Sequence, residues 1–109
     1  MRNFAFAVAA LALSFSAHAG NANDGKDLVK AKGCIACHGE MGEKPLAADQ
    51  PILAGQYNDY LVRALSDYKS GRRKNPIMTG MAGQLSKQEI EDLAAWFSSQ
   101  RKTTLHNQR

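Results

Sequence analysis

Five residues near the front of this 109-residue chain have types and spacing suited to chemistry: Cys34-Ile35-Ala36-Cys37-His38. In the pattern C-x-x-C-H, two thiols add to the vinyl groups of a haem and the adjacent imidazole ligates its iron. Two intervening residues let both sulfurs reach neighbouring vinyls, and the next side chain then aims its ring at the metal from the same side. Three other chemistries use paired cysteines: a thioredoxin-like redox couple, half of a zinc site, and a disulfide. The redox couple needs a fold with strands, and no stretch of the sequence alternates with a strand's period. A Cys₂His₂ zinc site needs a fourth ligand, and apart from His18 in the leader described below the only other histidine is His106, in a polar tail. A disulfide leaves His38 unexplained. The spacing therefore predicts one covalent haem c on Cys34 and Cys37, with His38 as proximal ligand.

Opposite His38, the sixth iron position is either open or filled by a side chain, and methionine paired with histidine raises the reduction potential. Met41 lies three residues past His38, too near to reach the other face of the ring. Met78 sits in Asn75-Pro76-Ile77-Met78, read as a loop stiffened by Pro76, which suits a thioether reaching iron. Met81 is closer to the next helix and can serve as flexible packing. Met78 is the preferred ligand, Met81 the second choice, and an open iron site remains the alternative.

These residues must be positioned by the elements around them. Arg2, the apolar run from Phe4 to Phe15 and Ala17-His18-Ala19 have the layout of a cleaved export signal over 1–19, so the mature chain is expected to begin at Gly20. A spanning helix needs about 20 apolar residues, and this run breaks at Ser14, Ser16 and His18. The reading implies a periplasmic protein with no membrane span once the signal is removed. Residues 20–100 are then one small domain, and 101–109 a polar tail. With Arg2 gone, 13 of the 14 Lys and Arg face 10 Asp and Glu, too mild an excess to argue for nucleic acid. Roughly 90 residues bury only a modest core, so a large apolar cofactor would help to fill it.

Three stretches show helical periodicity. The first starts from Asn23 or Asp24 as N-cap, carries Leu28, Val29 and Ala31, and stops at Gly33. Residues 39–56 read as a long loop, and loops of that length inside a small domain are usually functional. The second helix covers 57–70, with Tyr57, Tyr60, Leu61, Ala64, Leu65 and Tyr68 on one face, and Gly71 closes it. After another loop, Ser86 and Glu89 form a capping box that opens the third, with Ile90, Leu93, Ala94 and Phe97 along its apolar face. The expectation is an all-α fold of three main helices and long loops around the haem.

The chain resembles the class I cytochrome c family, and in particular its short bacterial periplasmic members. The resemblance rests on Gly25, the segment Cys34 to Gly39, Pro51-Ile52-Leu53-Ala54-Gly55-Gln56, Tyr60-Leu61, Lys69-Ser70-Gly71-Arg72, Met78, Leu85-Ser86 and Leu93-Ala94-Ala95-Trp96-Phe97. It implies that the first and last helices cross near Gly25 and Trp96, and that the Pro51 carbonyl accepts the proximal imidazole N–H. Trp96 stands where tyrosine is commoner in the family. The implied function is electron transfer without enzymatic activity, the haem cycling between Fe(III) and Fe(II). The rival readings are a haem subunit of a flavocytochrome-type dehydrogenase, such as one oxidising sulfide, and a ligand-binding haem protein with an open sixth site. Lys69, Arg72, Arg73 and Lys74 form a basic cluster that either steers an acidic redox partner or is an ordinary solvated helix end.

Overall fold

The computed structural model describes residues 3–5, 7–12 and 20–100. Most of the expected cleavage region, together with His18, Arg2, His106 and the 101–109 tail, lies outside the described residues. Among those described, every regular element is a helix: α1 (Ala22–Ala31), α2 (Ile35–His38), α3 (Asn58–Ser70), α4 (Pro76–Gly83) and α5 (Lys87–Ser98). None is long and apolar enough to cross a membrane.

The three expected helices are α1, α3 and α5. α1 begins earlier than expected, because Asn21 rather than Asn23 or Asp24 is the N-cap: its Oδ1 accepts from the backbone N–H of Asn23 (2.9 Å) and Asp24 (3.2 Å). α5 opens on the expected capping box, with Ser86 Oγ accepting from Glu89 N (3.1 Å) and Glu89 Oε1 from Ser86 N (2.9 Å). α3 ends where Gly71 adopts a left-handed conformation. Tyr57 is not on its packed face as the periodicity suggested. It lies outside the helix as an extended N-cap residue and is 76% exposed.

The largest departure is at 76–83, which forms α4 where a loop was expected. Asn75 supplies the N-cap, and Pro76 takes the first helical position, where its missing N–H costs nothing and its fixed φ already suits a helix. Met78 is therefore carried by the first turn of a helix rather than by a Pro-stiffened loop.

α1 crosses α5 at the expected pair. A Cβ on Gly25 would overlap the Asp92 carbonyl oxygen and stand 2.9 Å from Trp96 Cβ, so only glycine permits this approach. Asp92, 6% exposed, accepts from the Asn21 backbone N–H (2.8 Å) and from Gln88 Nε2 (2.9 Å), tying the start of α1 to α5. Val29, Leu61, Leu85, Ile90, Leu93, Ala94 and Phe97 form the buried core, which includes the whole predicted apolar face of α5. Burying a side chain such as Leu93 contributes roughly 1.5–3 kcal/mol.

The long 39–57 segment is irregular but anchored. Gly42, at φ +75°, presses on Phe97 and Leu53, and its carbonyl accepts from Leu53 N (2.8 Å) and Ala54 N (3.2 Å). Trp96 Nε1 donates to the Glu40 carbonyl (3.0 Å), and Gly55 N to the Phe97 carbonyl (2.9 Å). α5 thus holds both ends of the loop that carries Pro51.

Candidate cofactor crevice

α1 ends at Lys32, and Gly33, at φ +76°, turns the chain into the C-x-x-C-H segment. Cys34 is the N-cap residue of the one-turn α2, and His38 is its last residue. Positions three and four apart share a helix face. Accordingly Cys34, Cys37 and His38 all line a single cavity of about 340 Å³. Both thiols are free and half-buried. Among the described residues no group of three His, Cys, Asp or Glu side chains is placed to hold a metal ion, and His106 lies outside them.

His38 is 6% exposed, and its Nδ1 lies 3.1 Å from the Pro51 carbonyl oxygen. A carbonyl can only accept, so the contact places the proton on Nδ1 and leaves Nε2 with its lone pair free to bind a metal. Burial pushes the imidazole pKa below its ordinary value, while the Pro51 carbonyl pulls the other way. Burial, the larger influence, favours the neutral ring, and the Pro51 contact fixes its orientation, which together give the form a metal ligand requires. Burial also pushes the Cys34 thiol up, with the neighbouring Cys37 adding to the rise and a backbone hydrogen bond opposing it. The protein's own surroundings therefore do not activate Cys34 as a thiolate, unlike the cysteines of redox-active pairs.

α4 supplies another part of the wall. Asn75 Oδ1 accepts from Ile77 N and Met78 N, both at 3.1 Å, which fixes the backbone of Met78. Met78 and Met81 are both half-buried and both line the cavity. The Met81 methyl lies against Gly33, where an added Cβ would stand 3.7 Å from its Cε. Met41 is 45% exposed and is absent from the lining. α3 contributes Leu61, Ala64 and Leu65, and the core adds Leu85, Leu93 and Phe97. The volume falls in the range of ligand pockets, about 300–1,000 Å³, with the mostly apolar lining such pockets have.

The tyrosines divide by position. Tyr60 and Tyr68 line the cavity, though Tyr60 is 51% exposed, and Tyr57 does not take part. The basic cluster divides as well. All four residues are exposed, but Lys69 Nζ also donates to the Leu85 carbonyl, bracing the junction of α4 and α5. Arg73 lines the cavity, a placement the sequence analysis did not foresee because it depends on how the turn after α3 folds back over α3.

A slot with two thiols and a neutral imidazole on one turn, a fixed thioether on α4 and apolar walls elsewhere fits a haem in donor set and in polarity. Comparison with known proteins agrees. The family model for cytochrome c matches residues 22–101. Cytochrome c4 of Pseudomonas aeruginosa is 45% identical over 92 residues, covering 84% of this chain and 44% of that protein. A thiosulfate dehydrogenase electron acceptor of Stutzerimonas stutzeri is 39% identical over 92 residues, covering 81% and 43%. The crystal structure of reduced cytochrome c4 from Pseudomonas stutzeri superposes with a TM-score of 0.69 at 43% identity, covering 76% of this chain and 47% of that one. The chain thus spans less than half the length of these relatives. Its helices, its crossing at Gly25 and its C-x-x-C-H turn are those of the class I fold, and the chain belongs to the cytochrome c family.

Proposed function

We propose that this protein is a periplasmic electron carrier with one covalently attached haem c and His/Met coordination. The observation that carries the reading is the placement of Cys34, Cys37 and His38 on one turn in the same cavity as Met78, with His38 Nδ1 committed to Pro51. Cys34 and Cys37 tether the haem as thioethers, His38 Nε2 and Met78 Sδ hold the iron, and Pro51 orients the imidazole. Met81, its methyl against Gly33, packs the wall. When bound, the haem supplies a one-electron ferric/ferrous couple. With His38 and Met78 both holding the iron, no position would be left on it for a substrate, so the reading is an electron carrier and not an enzyme. A single C-x-x-C-H in the chain supports one haem. Cleavage of 1–19 and export follow from the layout of the leader, and Gly20–100 is the haem domain.

The partner side is a redox protein, approached through the exposed basic cluster Lys69, Arg72, Arg73 and Lys74, whose contacts with the Leu85 carbonyl and the Tyr60 hydroxyl leave its charges unpaired for steering. A relative that accepts electrons from thiosulfate dehydrogenase supports a dehydrogenase as donor. That similarity also favours a second reading, a haem subunit of a larger dehydrogenase assembly. Co-purification with a flavoprotein from the native host distinguishes the two.

Visible spectra of the mature holoprotein test the ligand set. Wild type and Met81→Ala should be low-spin in both redox states with the weak red band of sulfur-ligated ferric haem, and Met78→Ala should lose that band. Loss in Met81→Ala with retention in Met78→Ala overturns the assignment.

A further inference from the structure

We propose that Arg73, braced on Tyr60 and Tyr68, is the group that binds a haem propionate carboxylate at the mouth of the crevice. The inference rests on the haem reading above and assigns one further residue within it.

The cavity has two cations in its lining, Lys32 and Arg73. Lys32 Nζ is 3.6 Å from Glu89 Oε2 and so already faces a carboxylate. Arg73 has no carboxylate within ion-pair distance among the described residues. Its guanidinium is nevertheless held in place: the carbon lies 4.9 Å over the Tyr68 ring, Nη1 donates to Tyr60 Oη at 3.5 Å, and the backbone N–H donates to the Asp67 carbonyl at 3.0 Å. A surface arginine ordinarily keeps its rotamer freedom, worth about 2 kcal/mol, and points into water. Arg73 is exposed as well, but its stack on Tyr68 sets the guanidinium beside the cavity wall, and one long contact with a tyrosine hydroxyl leaves most of its five donors unused. A fork of that kind, at the rim of an apolar slot, matches a carboxylate in a bidentate pair.

Haem is an apolar disc with two carboxylates along one edge, and that edge must lie where the lining turns polar. The thiols that take the vinyl side are on α2. Arg73 lies on the turn between α3 and α4, where Asn75 also borders the cavity. The charged and titratable groups around this rim are Lys32 with its partner Glu89, Asp49 in the lining, Asp67 behind Arg73, and the two tyrosines. Arg73 is the cation among them that is left for a carboxylate.

A cation paired with a carboxylate lowers its pKa by 1–3 units. Removing the cation also favours the more positive ferric state. The test is the midpoint potential of the mature holoprotein against pH, measured by spectroelectrochemistry for wild type, Arg73→Gln, Arg73→Lys and Tyr60→Phe. Arg73→Gln should lower the potential at neutral pH and move the propionate titration up by at least one pH unit, a tenfold change in proton affinity. Arg73→Lys should recover most of that shift, and Tyr60→Phe should give a smaller shift in the same direction as Arg73→Gln. A role limited to bracing the fold would change stability and leave the profile where it was. Intact mass, read first, separates the two levels of the argument. A wild type without covalent haem overturns the haem reading and this inference together. A haem-bearing wild type whose pH profile overlays that of Arg73→Gln overturns this inference alone.

Discussion

Substituting Gly25 by alanine tests the crossing on which the site depends, because the crossing of α1 and α5 frames the crevice. In an ordinary helix interior Gly→Ala stabilises by about 1 kcal/mol. Here the added methyl stands 2.9 Å from Trp96 Cβ, while carbons in contact need at least about 3.5 Å, and it overlaps the Asp92 carbonyl as well. Both neighbours belong to the body of α5 and have no flexible end to swing away. The helices must part by about 0.6 Å or more for the Trp96 contact alone, loosening the packing of Val29, Leu93 and Ala94. Overpacking of this kind costs about 1–3 kcal/mol, and an unyielding backbone oxygen places it at the upper end. After the propensity gain is subtracted, a net loss of about 2 kcal/mol remains, which lowers Tm by about 8–16 °C in a domain of this size. Gly80→Ala is the control. Gly80 is inside α4 with nothing within 4 Å of an added Cβ, so the same substitution should leave Tm unchanged or raise it. Thermal unfolding of the holoproteins, followed by far-ultraviolet circular dichroism, reads both. A Gly25→Ala protein as stable as wild type would refute the reasoning.

Asn75→Ala removes the cap of α4 and should cost about 1 kcal/mol, and on heating the sulfur-to-iron band should vanish before the helical signal falls. Glu89 is held below its ordinary pKa of 4.5, first by the Ser86 backbone N–H and also by Lys32. A depressed carboxylate stabilises the fold above the unfolded value and loses that contribution as pH falls through the folded one. The stability gap between wild type and Glu89→Gln in urea titrations should therefore be present at pH 7 and close below about pH 4.5.

What the sequence discloses depends on how local the cause is. The C-x-x-C-H turn and the Ser86–Glu89 capping box are set within four residues: the turn brings Cys34, Cys37 and His38 to one cavity, and the capping box forms as read. The contact of His38 with Pro51 and the crossing at Gly25 span longer distances. They were legible through resemblance to a family, not through periodicity. α4 was missed because Asn-Pro followed by two glycines reads as a broken segment, although the same two residues are also a cap and a first helical position. Asn21, Asn23 and Asp24 can each cap a helix, so the sequence alone left the start of α1 open. The stacking of Arg73 on a ring from the preceding helix leaves no pattern in composition or spacing.

The central claim is a haem closed on both faces by this chain's own side chains. The direct measurement is exposure of the reduced, native wild-type holoprotein to carbon monoxide at neutral pH. The account predicts an unchanged visible spectrum, with binding appearing in Met78→Ala. Ready carbon monoxide binding by the wild type would contradict it and identify a ligand-binding haem protein with an open sixth site.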